Sequence, residues 1–587
     1  MAVVHTPLHN DKNQIRLIHI SPAAHDGDTI RCRFTVASLD HRPHYEALSY
    51  VWGDSTRAHS IRVDDRFMPV TDNLYAALRR LRLRDKDLTL WVDALCINQS
   101  NLNEKMHQVS RMSEIYKQAS QVIIWLDEGW DGSDLAMEFL RVIGDDASLH
   151  LHPSLNPHVT VEGLTLESIE LRGHLIRIFN RPWWTRTWTI QEFVLAQKPV
   201  FQCGESRVTG KIMYMARENF WSHKDRCCPS TLLNDRHPEH GMNLMGAFEV
   251  PARLDFISKS RGNSYSVLTP ITTFCKRGVT NPRDRVYGML GLGTGPYADL
   301  VKPDYALTPE QVCETVALKS IERTGKFEFL SHLFEHQNPN LPSFIPNWTG
   351  HFEWYDIYGL WLGNVKSFQA SGDTKAQYKL ISRGMLAAQG VIFDSITATC
   401  PASLVDNFME PNYVPELLEF TCPEGSFQEP YIHTNEPRLL AFWHTLNGGM
   451  QMILEDSNRY SRRLKGSTDL SKCLKFVEFM TSRPRAEPWD TEIDHILLDV
   501  ETGTRGRKMF TTRSGCFGLA PQKCQEGDMV VVLLGGDMPY IVRPAPPQNS
   551  KKCFTILGDS YVHGIMDGEV YVAQNGSTRE VEEIVLI

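Results

Sequence analysis

Three short apolar runs, separated by stretches of helical periodicity, organise the first third of the chain. Tyr45 to Val51 reads as a strand ending at the Gly53-Asp54 turn signal. Leu88 to Asp93 reads as a nearly all-apolar strand covered on both faces, and Gln121 to Leu126 as a third. Between them, Leu74, Leu78 and Leu81 recur at helical spacing from Asp72, and Met106, Val109, Met112, Ile115, Tyr116 and Ala119 share one face of a helix from about Asn103. Ile61 to Val70 reads as a hairpin turning at Asp64-Asp65. This alternation predicts an α/β module with a predominantly parallel sheet. Residues 129–165, polar and marked by Gly, Pro and His, read as an insertion with a helix over Leu135 to Ile143. Trp183 to Ala196 reads as one helix carrying Trp184, Trp188, Gln191, Glu192 and Leu195 on a common side, and Phe201 to Gly204 closes the module.

Further along, the pattern changes twice. Residues 206–375 read as mainly helical, with Asn281-Pro282-Arg283-Asp284 carrying an N-cap residue, Pro at the first helical position and an acid three places on. From 376 the chain turns strand-rich, with a helical, polar stretch near 435–480. Asp528 to Leu534, Tyr540 to Arg543, Cys553 to Leu557 and Glu569 to Val572 are short β runs between Gly, Pro and Asn turns, predicting a small barrel or sandwich that packs on the middle region. The expected organisation is an extension over 1–39, the α/β module over 40–205, a helical region over 206–375 and a β-rich region over 376–587.

Composition narrows the function classes. Hydrophobic residues make up 42% and charged residues 22% of 587, enough for several packed cores and far from a disordered composition. A formal net charge of -9 without a Lys/Arg block offers no field for phosphate backbones, so no nucleic acid is expected as partner. Met1 to Ile20 lacks the apolar core of a secretory signal and no run reaches the length of a membrane span, so the expected compartment is the cytoplasm or nucleus. The 13 Cys include no C-x-x-C pair and suit a reduced interior. Cys227 and Cys228 with His237 and His240 form a His/Cys cluster, but adjacent cysteines are awkward ligands for one tetrahedral centre, so these read as loop residues and no metal is expected. The glycines of Gly291-Leu292-Gly293-Thr294-Gly295-Pro296 miss the dinucleotide-loop spacing, and no cofactor is expected.

Three segments, in this order and at these separations, resemble the heterokaryon incompatibility (HET) domain of filamentous fungi: Tyr45 to Asp54 (YEALSYVWGD), Leu90 to Gln99 (LWVDALCINQ) and Arg181 to Ala196 (RPWWTRTWTIQEFVLA). Asp284 to Leu292, Pro303-Asp304-Tyr305, Gly518 to Pro521 and Tyr561 to Glu569 are similar to segments that follow that domain in such proteins. The resemblance implies a role in self/non-self recognition and programmed cell death. A more distant similarity, to the flavodoxin-like TIR domain, rests on the order of strands and helices and on Trp188-Thr189-Ile190-Gln191-Glu192, which matches the W-x-x-x-E helix of TIR domains. In TIR domains that cleave NAD this glutamate is catalytic, which implies Glu192 as the catalytic carboxylate and NAD as a substrate. The Trp52-Gly53-Asp54 segment departs from the charged loop that many TIR domains have there.

Ligand contacts are expected from Ser49, Trp52, Asp93, Asn98 and Trp188. The loops after the first two strands leave their C-terminal ends, where open α/β sheets bind ligands. Glu192 lies one helical turn from Trp188, so both leave the helix on one side. The competing expectation pairs Glu192 with Arg181, Arg186 or a backbone amide, a structural role. Cys96 has no His nearby in sequence to activate it and reads as structural. Two other functions fit the same helix: a non-enzymatic signalling module acting through self-association or other incompatibility proteins, and a biosynthetic enzyme on the same scaffold.

Overall fold

The apolar runs of the first third become neighbouring strands of one sheet in the computed structural model. The structure describes residues 5–9, 12–25, 27–54, 59–228, 243–260, 262, 264–333, 338–350, 358–400, 413–455, 458–464, 470–482, 491–571 and 579–587. The chain forms two compact units: Met1–Val267 with Arg277–Ala306, and Leu268–Lys276 with Leu307–Ile587.

In the first unit, β1 (Gln14–Ile20), β2 (Arg31–Ser38), β3 (Glu46–Ser49), β4 (His59–Val63), β5 (Arg66–Val70), β6 (Leu88–Trp91), β7 (Gln121–Asp127), β8 (Pro199–Cys203) and β9 (Ser206–Thr209) form a nine-stranded sheet in the order β5-β4-β2-β1-β6-β3-β7-β8-β9. Its centre is parallel as expected: β3 runs parallel to both β6 and β7, and β7 to β8. Towards both edges the sheet is mixed. β1 runs antiparallel to β6 and β2, and β8–β9 is a hairpin. The β4–β5 hairpin turns at Asp64 and Asp65, whose φ values of 45° and 63° match the left-handed pair a two-residue hairpin loop needs. Two strands before residue 40 therefore belong to this sheet. β1 brings in Arg16, fully buried, whose guanidinium pairs with Glu104 (2.9 Å) and donates to the Thr6 carbonyl (2.6 Å).

Local capping explains the helices that cover the sheet. Thr71 caps Asp72–Leu81 by accepting from Leu74 N–H, Asn101 caps Leu102–Gln118 through Glu104 N–H, and Ser168 caps Ile169–Phe179. The insertion holds the helix Ser133–Asp145. The expected single helix over Trp183 to Ala196 is instead two pieces, a 3-10 turn at Pro182–Thr185 and an α-helix at Trp188–Val194. Between them Arg186 is extended and bridges Gly278, with Gly278 N–H donating to Thr185 O (2.6 Å). Thr189 Oγ1 takes the carbonyls of Trp183 and Arg186, and Arg277 reaches the Arg186 carbonyl (3.2 Å). Gly278 and Arg277 are distant in sequence, so periodicity could not reveal the break.

The second unit starts with helices, among them Pro309–Thr324 behind a Thr308–Gln311 capping box, and continues into strands. These are β10 (Tyr378–Ser382), β11 (Met385–Thr399), the hairpin β12 (Met450–Glu455) and β13 (Asn458–Arg463), β14 (Arg507–Thr512), β15 (Phe517–Pro521), β16 (Met529–Leu533), β17 (Tyr540–Gln548), β18 (Lys551–Asp559), β19 (Tyr561–Val562) and β20 (Glu582–Leu586). β11 pairs with both β16 and β20; β16 pairs with β17, β17 with β18 and β18 with β20. The ring β11-β16-β17-β18-β20 is thereby closed, and closure removes the exposed edges that an open sheet would carry. Val391, Ile396, Phe510, Val530, Val532 and Ile541 lie in its buried cluster. The expected strand at Glu569 to Val572 is a 3-10 turn over Glu569–Tyr571; Tyr571 is held by its hydroxyl on the Val532 carbonyl (2.9 Å), and Val572 lies outside the described residues.

Candidate functional site

The C-terminal ends of β3 and β6 are adjacent, in register at Ala47 and Trp91, so the loops after Ser49 and Trp91 open side by side. Ser49, the last residue of β3, is fully buried. Its hydroxyl donates to Glu192 Oε2 and accepts from Trp183 Nε1 (2.7 Å). Glu192 is 3% exposed, and the Tyr116 hydroxyl also bonds it while lying 3.3 Å from the Leu48 carbonyl. Burial pushes the Glu192 carboxyl up to about 7, against the opposing pull of Arg186 and the Ser49 hydrogen bond. A carboxyl so placed exchanges a proton near neutrality, the property a general acid or base needs.

Asp93 follows β6. Its Oδ2 accepts from the half-exposed Trp52 indole (2.8 Å) and its Oδ1 from Ala94 N–H (2.7 Å); burial raises its carboxyl too, opposed by Arg186. On the other side, Asp284 bonds the Trp188 side chain and the Tyr305 hydroxyl (2.7 Å), and burial again raises it. Arg186 thus faces three acids and opposes the upward push of burial on each, while its own guanidinium donates to the Tyr50 carbonyl (2.6 Å) and lies 5.7 Å from the Trp52 ring centre. Lys105 acts on Asp93 and Asp284 and sits 5.6 Å from the Tyr305 ring centre. The arrangement is a mixed-charge cluster walled by aromatic rings, suited to holding a polar, partly aromatic molecule and to shifting a proton.

Ser49, Glu192, Asp93, Trp52 and Trp188 therefore lie in one neighbourhood. Asn98 does not join them: its side chain accepts from Ser100 N–H (3.2 Å) and its own N–H donates to Glu104 (2.8 Å), so it shapes the entry of the following helix. Of the partners expected for Glu192, Arg186 is present, whereas Arg181 pairs with Asp127 (2.7 Å) and lies over Trp130. Cys96 is fully buried, with burial pushing its thiol up to about 12 and its Sγ accepting from Val92 N–H, a structural residue. Sequence reasoning did not assign Trp183, Tyr116, Lys105, Asp284 or Tyr305 to the site. The last two sit in Asp284 to Leu292 and Pro303-Asp304-Tyr305, segments whose family resemblance marked them, although Asp284 looked adequately used as a helix-start acid.

These elements coincide with known families. Residues 45–192 match the family described as heterokaryon incompatibility protein (HET), and residues 489–582 match the Het-6 beta-barrel domain, a range that takes in β16, β17 and β18 of the closed ring. The chain is thus similar to a HET domain in its N-terminal third and to a Het-6 barrel near its C-terminal end. Over a 673-residue alignment covering 99% of this chain and 97% of the relative, it is 27% identical to heterokaryon incompatibility protein 6, OR allele, of Neurospora crassa. No solved structure matches the chain. Among the described residues, no helix is long and apolar enough to cross a membrane.

Proposed function

We propose that this protein acts in heterokaryon incompatibility as a cell-death effector, and that its HET domain works on NAD or a related nucleotide through Glu192. The observation that carries this reading is the buried carboxyl pushed up to about 7, bonded to Ser49 and Tyr116 and faced by Arg186, at the C-terminal ends of adjacent parallel strands. Breaking a nicotinamide–ribose bond develops positive charge on the ribose. Ionised Glu192 stabilises that charge or holds a ribose hydroxyl, with Trp52 and Trp188 available for stacking and Asp93 for polar groups. The distant likeness to TIR domains supports the same chemistry.

A non-enzymatic signalling role is favoured by one observation: the Glu192, Ser49 and Trp183 hydrogen bonds already satisfy each other, as a structural network does. Incubating the purified full chain with NAD and measuring nicotinamide release separates the readings. Turnover by wild type that Glu192→Gln abolishes, together with loss of cell killing, is the expected outcome. A folded Glu192→Gln chain that kills as well as wild type removes the catalytic role and leaves the signalling module.

A further inference from the structure

Within the first unit, the last turn of the helix Gly210–Arg226 carries His223, and Cys227 and Cys228 follow it directly. The N–H groups of both cysteines donate to the same carbonyl, that of His223 (3.0 and 2.8 Å), so the chain folds tightly back at the helix end. That fold lets two adjacent cysteines aim at one point: their sulfurs lie 3.7 Å apart. His150, from the insertion, completes the group. His150 Nδ1 is 3.3 Å from Cys227 Sγ and 3.7 Å from Cys228 Sγ, and His223 Nδ1 is 3.2 Å and 4.0 Å from the same two atoms. His237 and His240, the histidines adjacent in sequence, lie outside the described residues.

We propose that His150, His223, Cys227 and Cys228 form a structural zinc site. A tetrahedral Zn²⁺ with bonds of about 2.3 Å to sulfur and about 2.05 Å to nitrogen has S···S edges of about 3.8 Å and S···N edges of about 3.6 Å. The observed separations straddle those values within a few tenths of an ångström, and all four donor atoms lie within 4.8 Å of one another. The surroundings have the form of a ligand shell. His223 Nε2 lies 2.8 Å from the Ala147 carbonyl, which can only accept, so the proton sits on Nε2 and Nδ1 keeps its lone pair for a metal. Leu151 N–H points at Cys228 Sγ (3.3 Å), a hydrogen bond that supports a thiolate. The two imidazoles meet edge to face at 82°, converging from different directions instead of stacking. Two thiolates and two neutral imidazoles cancel the dication's charge, which suits a site where Cys228 is 1% exposed.

Four protein ligands leave no open position, so the ion cross-links rather than catalyses. It ties the 146–159 stretch to the end of the Gly210–Arg226 helix. The soft sulfur and imidazole donor set selects zinc over magnesium or calcium.

The test is metal analysis of the full chain, purified under reducing conditions and dialysed without chelator. One zinc per chain is expected, with a fall in Tm on treatment with a strong chelator, and loss of the bound zinc in Cys227→Ser/Cys228→Ser. Since that variant could misfold, wild type is also reconstituted with cobalt(II). An intense tetrahedral visible spectrum with thiolate charge-transfer bands, abolished by added zinc, supports the site. Folded wild type that holds no zinc and gives only the pale spectrum of octahedral cobalt overturns it. So does full zinc retention by the double variant, or zinc that is lost on His237→Ala and kept on His150→Ala.

Discussion

Glu192 owes its character to where the chain places it rather than to its immediate neighbours. Its spacing from Trp188 and its position beyond parallel strands were legible in the sequence; Glu192 does meet Ser49 and Asp93, while the Trp188 side chain bonds Asp284. Arg186 was legible only as one of several partners, and Arg16 not at all, since a lone Arg in an apolar strand names no Glu104 until the sheet brings β1 beside β6. The raised carboxyl makes a signed prediction. A carboxyl whose folded value of about 7 exceeds its ordinary 4.5 binds more protons folded than unfolded between those values. Its contribution to stability is therefore fully present below pH 4.5, declines as pH rises towards 7 and is lost above that. Glu192→Gln cannot titrate. Between about pH 5 and about pH 8, wild type should lose on the order of 2–3 kcal/mol relative to the variant, read from urea midpoints at each pH. Parallel pH profiles for the two proteins would mean that Glu192 stays ionised in the fold.

At the scale of elements, strands and caps read well where their partners are close in sequence. The Asp64-Asp65 hairpin, the helices begun at Thr71 and Asn101 and the runs at 528–534, 540–543 and 553–557 depend on local alternation and turn residues. The break at Arg186 and the 3-10 turn at Glu569–Tyr571 depend on remote backbone and side-chain groups, which periodicity does not contain. The Gly518 to Pro521 segment illustrates the same division. Its strand β15 pairs with β14 on one side and β19 on the other, and a Cβ on Gly518 would stand 2.2 Å from the Tyr561 carbonyl and 2.9 Å from the Phe510 ring. Backbone cannot step aside as a flexible side chain can, so Gly518→Ala should destabilise the second unit by about 1–3 kcal/mol. Gly363→Ala, in the helix Tyr358–Val365 with open space around its Cβ position, should be neutral or slightly stabilising. Denaturant midpoints for the pair check this; equal midpoints would show that β19 shifts to make room.

On the scale of a whole unit, the order of the strands matters more than their number. β20 joins β11 and β18, running antiparallel to the first and parallel to the second, and so closes the ring that the other strands leave open. Ile584, Val585 and Leu586 are buried there, and Ile587 N–H continues the pairing to the Phe554 carbonyl (3.0 Å) while its own carbonyl accepts from Ser343 N–H (3.1 Å). The same unit's helical part reaches the barrel elsewhere: Phe327 N–H donates to the Gly535 carbonyl (3.0 Å), Tyr540 donates to the Phe327 carbonyl (3.3 Å), and Lys326 pairs with Asp537 (3.1 Å). The barrel is thus packed against the described residues of 307–333 and 338–350, not a tethered module. A chain ending at residue 580 keeps most strands but exposes the paired edges of β11 and β18 and uncovers three buried aliphatic side chains. Each such side chain stabilises by about 1.5–3 kcal/mol when buried, so the loss is comparable to the whole stability of a domain. The truncated protein should therefore lose the fold of the entire second unit, read as rapid limited proteolysis throughout 307–580, and should aggregate through the opened edges. If proteolysis instead trims only the barrel and leaves 307–377 resistant, the helical part folds by itself and closure by β20 is local.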